Sequence, residues 1–379
     1  MKYFGLCLFT ALSLNSCQVE DDVELEIPSV ITHELQEVVR IVDEPWGIFF
    51  NNTVRQIEFL SNGNLIIRGG RSLNNVLEIS QDGELVSTIG QEGKGPGEFV
   101  SIDRILVTPG DSLYIYDESL ARHQLFVKID GDWQLNRALP FERQSDQAFN
   151  IEYPLKIYKT PSDNDSYRAL MTNFISSSDT TNSFYYYVTD VDKDLVQVGD
   201  VELLKFVQDA AVFRASWGVA TDWDNRFQRA FYLFNSQGAE PVYVSNWTNE
   251  IWAIDQNGSK QLAGRLPFEH FPTDESVNEY IERISDIYET ERVQLIESKL
   301  LDYEPYYRNI YLDNDKLWVH FARENETDPE WAISTISGEI EAMFRNPDNF
   351  DPLTVHNGKL YGLQHVNDVP NLVSFKLED

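Results

Sequence analysis

The chain has 379 residues, with 62 Asp and Glu against 30 Lys and Arg and a net charge of −32. Charge of that size and sign repels phosphate backbones and anionic lipid surfaces, which argues against nucleic-acid binding and suits solubility by self-repulsion. Its two cysteines are Cys7 and Cys17, so no internal disulfide or zinc–thiolate cluster can form beyond residue 17.

Residues 1–16 read as a targeting segment. Lys2 supplies a positive start, and the apolar run from Phe4 to Leu14 is too short to cross a bilayer core of about 30 Å as a helix. The run ends in Leu14-Asn15-Ser16-Cys17, which resembles the lipobox of bacterial lipoproteins. The resemblance implies removal of 1–16 as a signal peptide and a diacylglyceryl group on Cys17, with several acyl chains giving firm membrane attachment. Residues 17–34 form an acidic tether without strand or turn patterning. Its Glu20, Asp21 and Asp22 resemble the acidic export signal of surface lipoproteins in Bacteroidota-like bacteria. That implies the outer membrane, on its outer face.

From residue 35 onward the chain is a succession of short alternating segments split by Gly, Asn and Asp turns, and its aromatic content of 13% suits packed β-sheets. A first set of strands falls at 54–60, 64–68, 76–80 and 84–89. The stretch from Gly90 to Phe99 (GQEGKGPGEF) then reads as a shaped join, because Gly admits positive φ and Pro fixes φ. A second set falls at 102–107, 112–116, 124–129 and 133–138.

Gly90 to Asp117, followed by Arg122, Gln124 and Phe126, resembles an NHL repeat, although Leu120 and His123 stand where Asn and Ile are usual. More broadly the chain resembles the six-bladed β-propeller lipoproteins of Bacteroidota-like bacteria, of NHL-repeat or TolB-like type. The resemblance implies one all-β propeller over residues 35–379.

A third set is expected at 155–159, 167–174, 183–190 and 195–201, and a fourth at 229–234, 242–245, 250–255 and 261–266. Residues 210–226 carry no clean period and read as a long loop. Between Thr273 and Leu301 the period changes. Val277, Tyr280, Ile281, Ile284, Ile287 and Tyr288 fall on one face of an inserted α-helix packed on the propeller. A fifth set follows at 308–312, 316–321, 331–335 and 339–344. The last set has three strands, at 353–356, 359–363 and 372–377, while 35–42 is an orphan near the N-terminus. A propeller closes when an N-terminal strand completes the C-terminal blade, so the orphan is expected to fill the gap. The strand sets give six blades, with seven as the alternative.

No G-x-S-x-G, H-E-x-x-H or P-loop is present. Gly93, Gly95 and Gly97 lack a following Lys-Ser/Thr and precede no helix, so they do not make a phosphate cradle. Asp190, Asp192 and Asp194 have the opening spacing of a calcium loop. Leu195 and Val201 stand where that loop needs Gly and Glu, and a turn between strands explains the spacing better. His356 and His365 are the histidine pair that could act in a propeller channel. Aromatic residues beside carboxylates suit sugar recognition, which makes Trp217, Asp222, Trp223 and Asp224 the candidate ligand-binding loop.

These features imply a lipid-anchored envelope propeller, non-enzymatic, that binds a glycan, peptide or envelope protein and needs no cofactor. The alternative is a propeller-type lyase or lactonase with Ca²⁺ or another divalent metal in its central channel.

Overall fold

The computed structural model describes residues 32–41, 54–69, 75–108, 110–140, 151–159, 166–175, 183–192, 204–208, 211–215, 218–222, 230–233, 241–245, 248–255, 259–268, 281–282, 285, 293–294, 307–321, 329–367 and 369–378. The chain is an all-β, six-bladed β-propeller. Every blade has a core of four antiparallel strands, and the blades are numbered here in chain order.

Blade 1 comprises Gln56–Phe59, Leu65–Arg68, Val76–Ile79 and Leu85–Ile89. Blade 2 comprises Ile102–Val107, Leu113–Asp117, Arg122–Ile129 and Asp132–Pro140. Blade 3 is built from Ile151–Lys159, Ser166–Ile175, Ser183–Asp192 and Leu204–Gln208. Blade 4 follows with Ala230–Leu233, Val242–Ser245, Glu250–Ile254 and Lys260–Arg265. Blade 5 has Tyr307–Asp313, Lys316–Phe321, Trp331–Thr335 and Ile340–Phe344. Blade 6 has Phe350–His356, Lys359–Val366 and Val369–Leu377.

Burial explains the patterning. Middle strands are covered on both sides by neighbouring blades, so they are mostly apolar without alternation: every residue of Val76–Ile79 and of Leu113–Asp117 is buried, Glu78 and Asp117 included. The outer strand Leu85–Ile89 has one free side and alternates accordingly.

The missing strand of blade 6 is Leu35–Ile41, which pairs antiparallel with Val369–Leu377 as its outermost member. Just before it, Thr32–His33, expected as the end of the acidic tether, adds in parallel to the outer strand of blade 5. One short stretch of chain therefore ties blade 5 to blade 6 and pairs edges that would otherwise stay open where the ring closes. Ile41, Val54, Ile57, Leu65, Leu363 and Leu372 pack together at the seam between blades 6 and 1. Comparable apolar clusters join blades 1 and 2 around Phe99 and Phe126, and blades 5 and 6 around Trp331 and Phe344.

Three sequence expectations change. The outer strand of blade 3 is Leu204–Gln208, pairing with Ser183–Asp192, whereas residues 195–201 lie outside the described residues. Asp190 and Asp192 belong to a strand and not to a turn, and Asp190 accepts a hydrogen bond of 3.0 Å from Arg168. The stretch expected as a long loop at 210–226 contains an antiparallel hairpin, Ala211–Ala215 with Gly218–Asp222. Its strands, AVFRA and GVATD, carry no strict apolar–polar alternation. Of the helix expected at 273–301, Ile281, Glu282, Ser285, Val293 and Gln294 have helical backbone, and Ser285 Oγ donates to the Ile281 carbonyl at 2.6 Å. The rest of that segment lies outside the described residues.

Candidate functional site

A four-stranded meander starts its first strand and ends its fourth at the same end. Every blade-to-blade connection therefore leaves on one face, together with the loops between strands 2 and 3. We call this the connection face. The opposite, turn face carries tight turns such as Leu60–Asn64, closed by the Gly63 N–H donating to the Leu60 carbonyl. Long variable loops on a rigid scaffold are where sites form, so the connection face is the place to look. The hairpin at 211–222 and the segment with helical residues both lie in connections on this face. Of the candidate loop, Asp222 ends the second hairpin strand, opposite Ala211. Trp217, Trp223 and Asp224 lie outside the described residues, as does Cys17.

The Gly90–Phe99 stretch connects blades 1 and 2, and its partners show what the repeat-like motif does. Asp117, fully buried, accepts from the Val100 N–H at 2.8 Å and the Leu120 N–H at 3.0 Å. Arg122 donates to the Gly95 and Glu98 carbonyls, both at 2.8 Å. Gln124 accepts from the Gly97 N–H at 2.7 Å and donates to the Glu98 carbonyl at 2.8 Å. Phe99 is fully buried between the two blades, and a Cβ on Gly90 (φ +79°) would fall 2.3 Å from its ring. The glycines thus serve a stapled join, and the motif's Asp, Arg and Gln are consumed in holding it.

Between blades 5 and 6 the same face opens into a groove of about 550 Å³. Its walls come from the strand ends that meet there: Arg308 near the start of blade 5, His320 and Phe321 at the end of its second strand, and Phe350, Asp351 and Pro352 opening blade 6. One wall is locked by Asn346. Its backbone N–H donates to Glu330 at 2.9 Å, its Oδ1 accepts from the Trp331 indole at 3.1 Å, and its Nδ2 donates to the Phe350 carbonyl at 2.6 Å. Beneath, the His320 ring stacks on fully buried Trp331, centroids 4.4 Å apart and planes 4° off parallel. At the rim, His365 Nε2 lies 3.8 Å from an oxygen of Asp351, whose side chain is 78% exposed.

The expected histidine pair is not brought together. His365 lies at the connection-face end of blade 6, whereas His356 ends the first strand at the turn face and stacks on Phe59 at 3.9 Å. Burial lowers the His356 pKa there, against the opposing charge of Asp313. The groove residues escaped sequence reasoning because each is an unremarkable strand-end residue and they meet only across a blade interface. The Asp351-Pro352 step at the start of an inner strand is the one local signal. Among the described residues no group of three His, Cys, Asp or Glu could hold a metal ion.

A family model described as a 6-bladed beta-propeller (DUF5128) matches residues 51–197. A search of the curated proteins finds no match. Among solved structures, the chain is similar to a protein assigned as a gluconolactonase, at 10% identity and a TM-score of 0.40, covering 91% of this chain and 92% of that one. It is also similar to a Bacteroides uniformis protein assigned as a 6-phosphogluconolactonase, at 12% identity and a TM-score of 0.34, covering 75% of this chain and 68% of that one. A third similarity is to YCF48 bound to D1 peptide, at 11% identity and a TM-score of 0.35, covering 91% and 85%. Likeness at this level carries no activity over to the present chain.

Proposed function

We propose that this protein is a lipid-anchored cell-envelope propeller that binds a glycan, peptide or protein partner on its connection face, without catalysis. The observation that supports binding is the open groove between blades 5 and 6, built from locked strand ends and rimmed by the exposed Asp351 and by His365. A site whose walls are fixed before the ligand arrives loses little freedom on binding. The repeat-like motif between blades 1 and 2 contributes rigidity. The anchor rests on the Leu14–Cys17 sequence, which would place the lipid on Cys17 at the outer membrane and expose the propeller at the surface, joined by the acidic tether.

Both halves of the reading can be tested. Cys17→Ser should move the protein from the membrane pellet to the soluble fraction; an unchanged membrane fraction would overturn the anchor. The soluble Cys17→Ser protein should bind saturably on glycan, peptide or envelope-extract arrays, and silence on all three would overturn the binding role.

A further inference from the structure

We infer that the groove between blades 5 and 6 takes a neutral polyhydroxylated ligand, a sugar ring within a short neutral oligosaccharide, bound at Asp351 and His365. This deepens the binding role proposed above and rests on it. At about 550 Å³ the groove falls within the range of about 300–1,000 Å³ usual for small-molecule sites.

Its polar groups are mixed in kind. Asp351 is acceptor-only and projects into solvent, and Glu330 commits one oxygen to the Asn346 N–H. His365 supplies a ring N–H, and the side-chain amide of Asn349 can both donate and accept. A hydroxyl also does both. Adjacent hydroxyls can therefore donate to a carboxylate while accepting from imidazole or amide, leaving no charge unmatched.

Charged ligands fit less well. A compact anion would face Asp351 and Glu330 in a protein of net charge −32, and a compact cation, which only donates, would leave the N–H groups of His365 and Asn349 without an acceptor. Half-buried Pro352 adds an apolar surface beside the carboxylate, suited to the C–H face of a sugar ring, whereas Phe350 is buried in the interface between blades 5 and 6. Asn346, bonded on three sides, holds these groups in place before a ligand arrives.

The test is calorimetric titration of the Cys17→Ser protein with malto-, cello-, xylo- and manno-oligosaccharides. Polygalacturonate serves as the anionic probe, glucosamine oligomers as the cationic probe, and a peptide library as the non-sugar probe. The expected result is saturable binding to at least one neutral series, about tenfold weaker in Asp351→Ala and in His365→Ala, as for loss of a hydrogen bond to a charged group. Unfolding midpoints should not change, since both side chains sit at the rim. Saturable binding confined to the charged probes or to peptides would overturn the ligand class while the binding role stands. Binding to neutral sugars that ignores both substitutions would overturn the placement in this groove. Binding to none of the probes overturns the ligand class, and the envelope-extract array then decides the binding role separately.

Discussion

Glu78→Ala is expected to destabilise the propeller by about 3 kcal/mol, the low end of the usual cost of removing one partner from a buried ion pair. Glu78 is fully buried in the third strand of blade 1. Its carboxylate is matched on every side: Lys128 Nζ donates at 2.6 Å, Asn64 Nδ2 at 2.7 Å and the Trp133 indole at 2.7 Å. Lys128 and Trp133 belong to blade 2, so the group welds two blades. Burial pushes the carboxyl pKa up, but the hydrogen bonds from Lys128, Asn64 and Trp133 outweigh it and leave the pKa below the ordinary value. Truncation would leave a cavity and take the shared acceptor from three half-buried donors. Glu78→Gln keeps the volume and loses the charge, and its cost should be smaller. Equilibrium unfolding in urea measures both. A loss below about 0.5 kcal/mol for Glu78→Ala would mean the weld is not formed.

Acidification between pH 6.5 and 4 is expected to remove roughly 3 kcal/mol of stability through His123 alone. His123 is 6% exposed, in the third strand of blade 2, with its ring centroid 4.8 Å from that of Tyr116. Burial, helped by the charge of Arg104, lowers its pKa from 6.5 to about 4. The folded state therefore holds His123 neutral where the unfolded chain would already bind a proton. Stability is fully present above pH 6.5 and is lost as pH falls through 4. Glu78 acts in the same direction at lower pH, because its depressed carboxyl is protonated more readily in the unfolded chain. His123→Leu should flatten the slope between pH 6.5 and 4 even if it lowers stability at neutral pH. An unaltered slope in that variant would assign the acid sensitivity elsewhere.

Architecture was legible in the sequence because it rests on period. Alternating runs, turn residues, and a surplus N-terminal strand opposite a deficient C-terminal set all follow from backbone pairing. Leu35–Ile41 takes the expected place in blade 6. The 90–126 motif was legible as a join, and the structure adds which groups hold it: Asp117, Arg122 and Gln124, each bonded to the loop's backbone. The hairpin at 211–222 was not legible, since the Ala and Gly in its strands break the alternation that marks a strand with one buried face. Nor was the groove, because Arg308 belongs to blade 5, Asp351 and His365 belong to different strands of blade 6, and the three share no spacing rule. His356 and His365 were close in sequence and misleading for that reason: the turn between strands 1 and 2 of blade 6 sends them to opposite ends of the sheet.

The two faces can be told apart directly. Asp351→Ala and His365→Ala alter the connection face, whereas His356→Ala and Lys359→Ala alter the turn face, where a cavity of about 50 Å³ lies at the seam of blades 6 and 1. Binding of the four Cys17→Ser variants to an envelope-glycan array, read beside the unfolding midpoint of each, compares the faces at matched fold integrity. A connection-face site predicts about a tenfold loss of signal in the first pair and none in the second. Loss confined to His356→Ala and Lys359→Ala would contradict it.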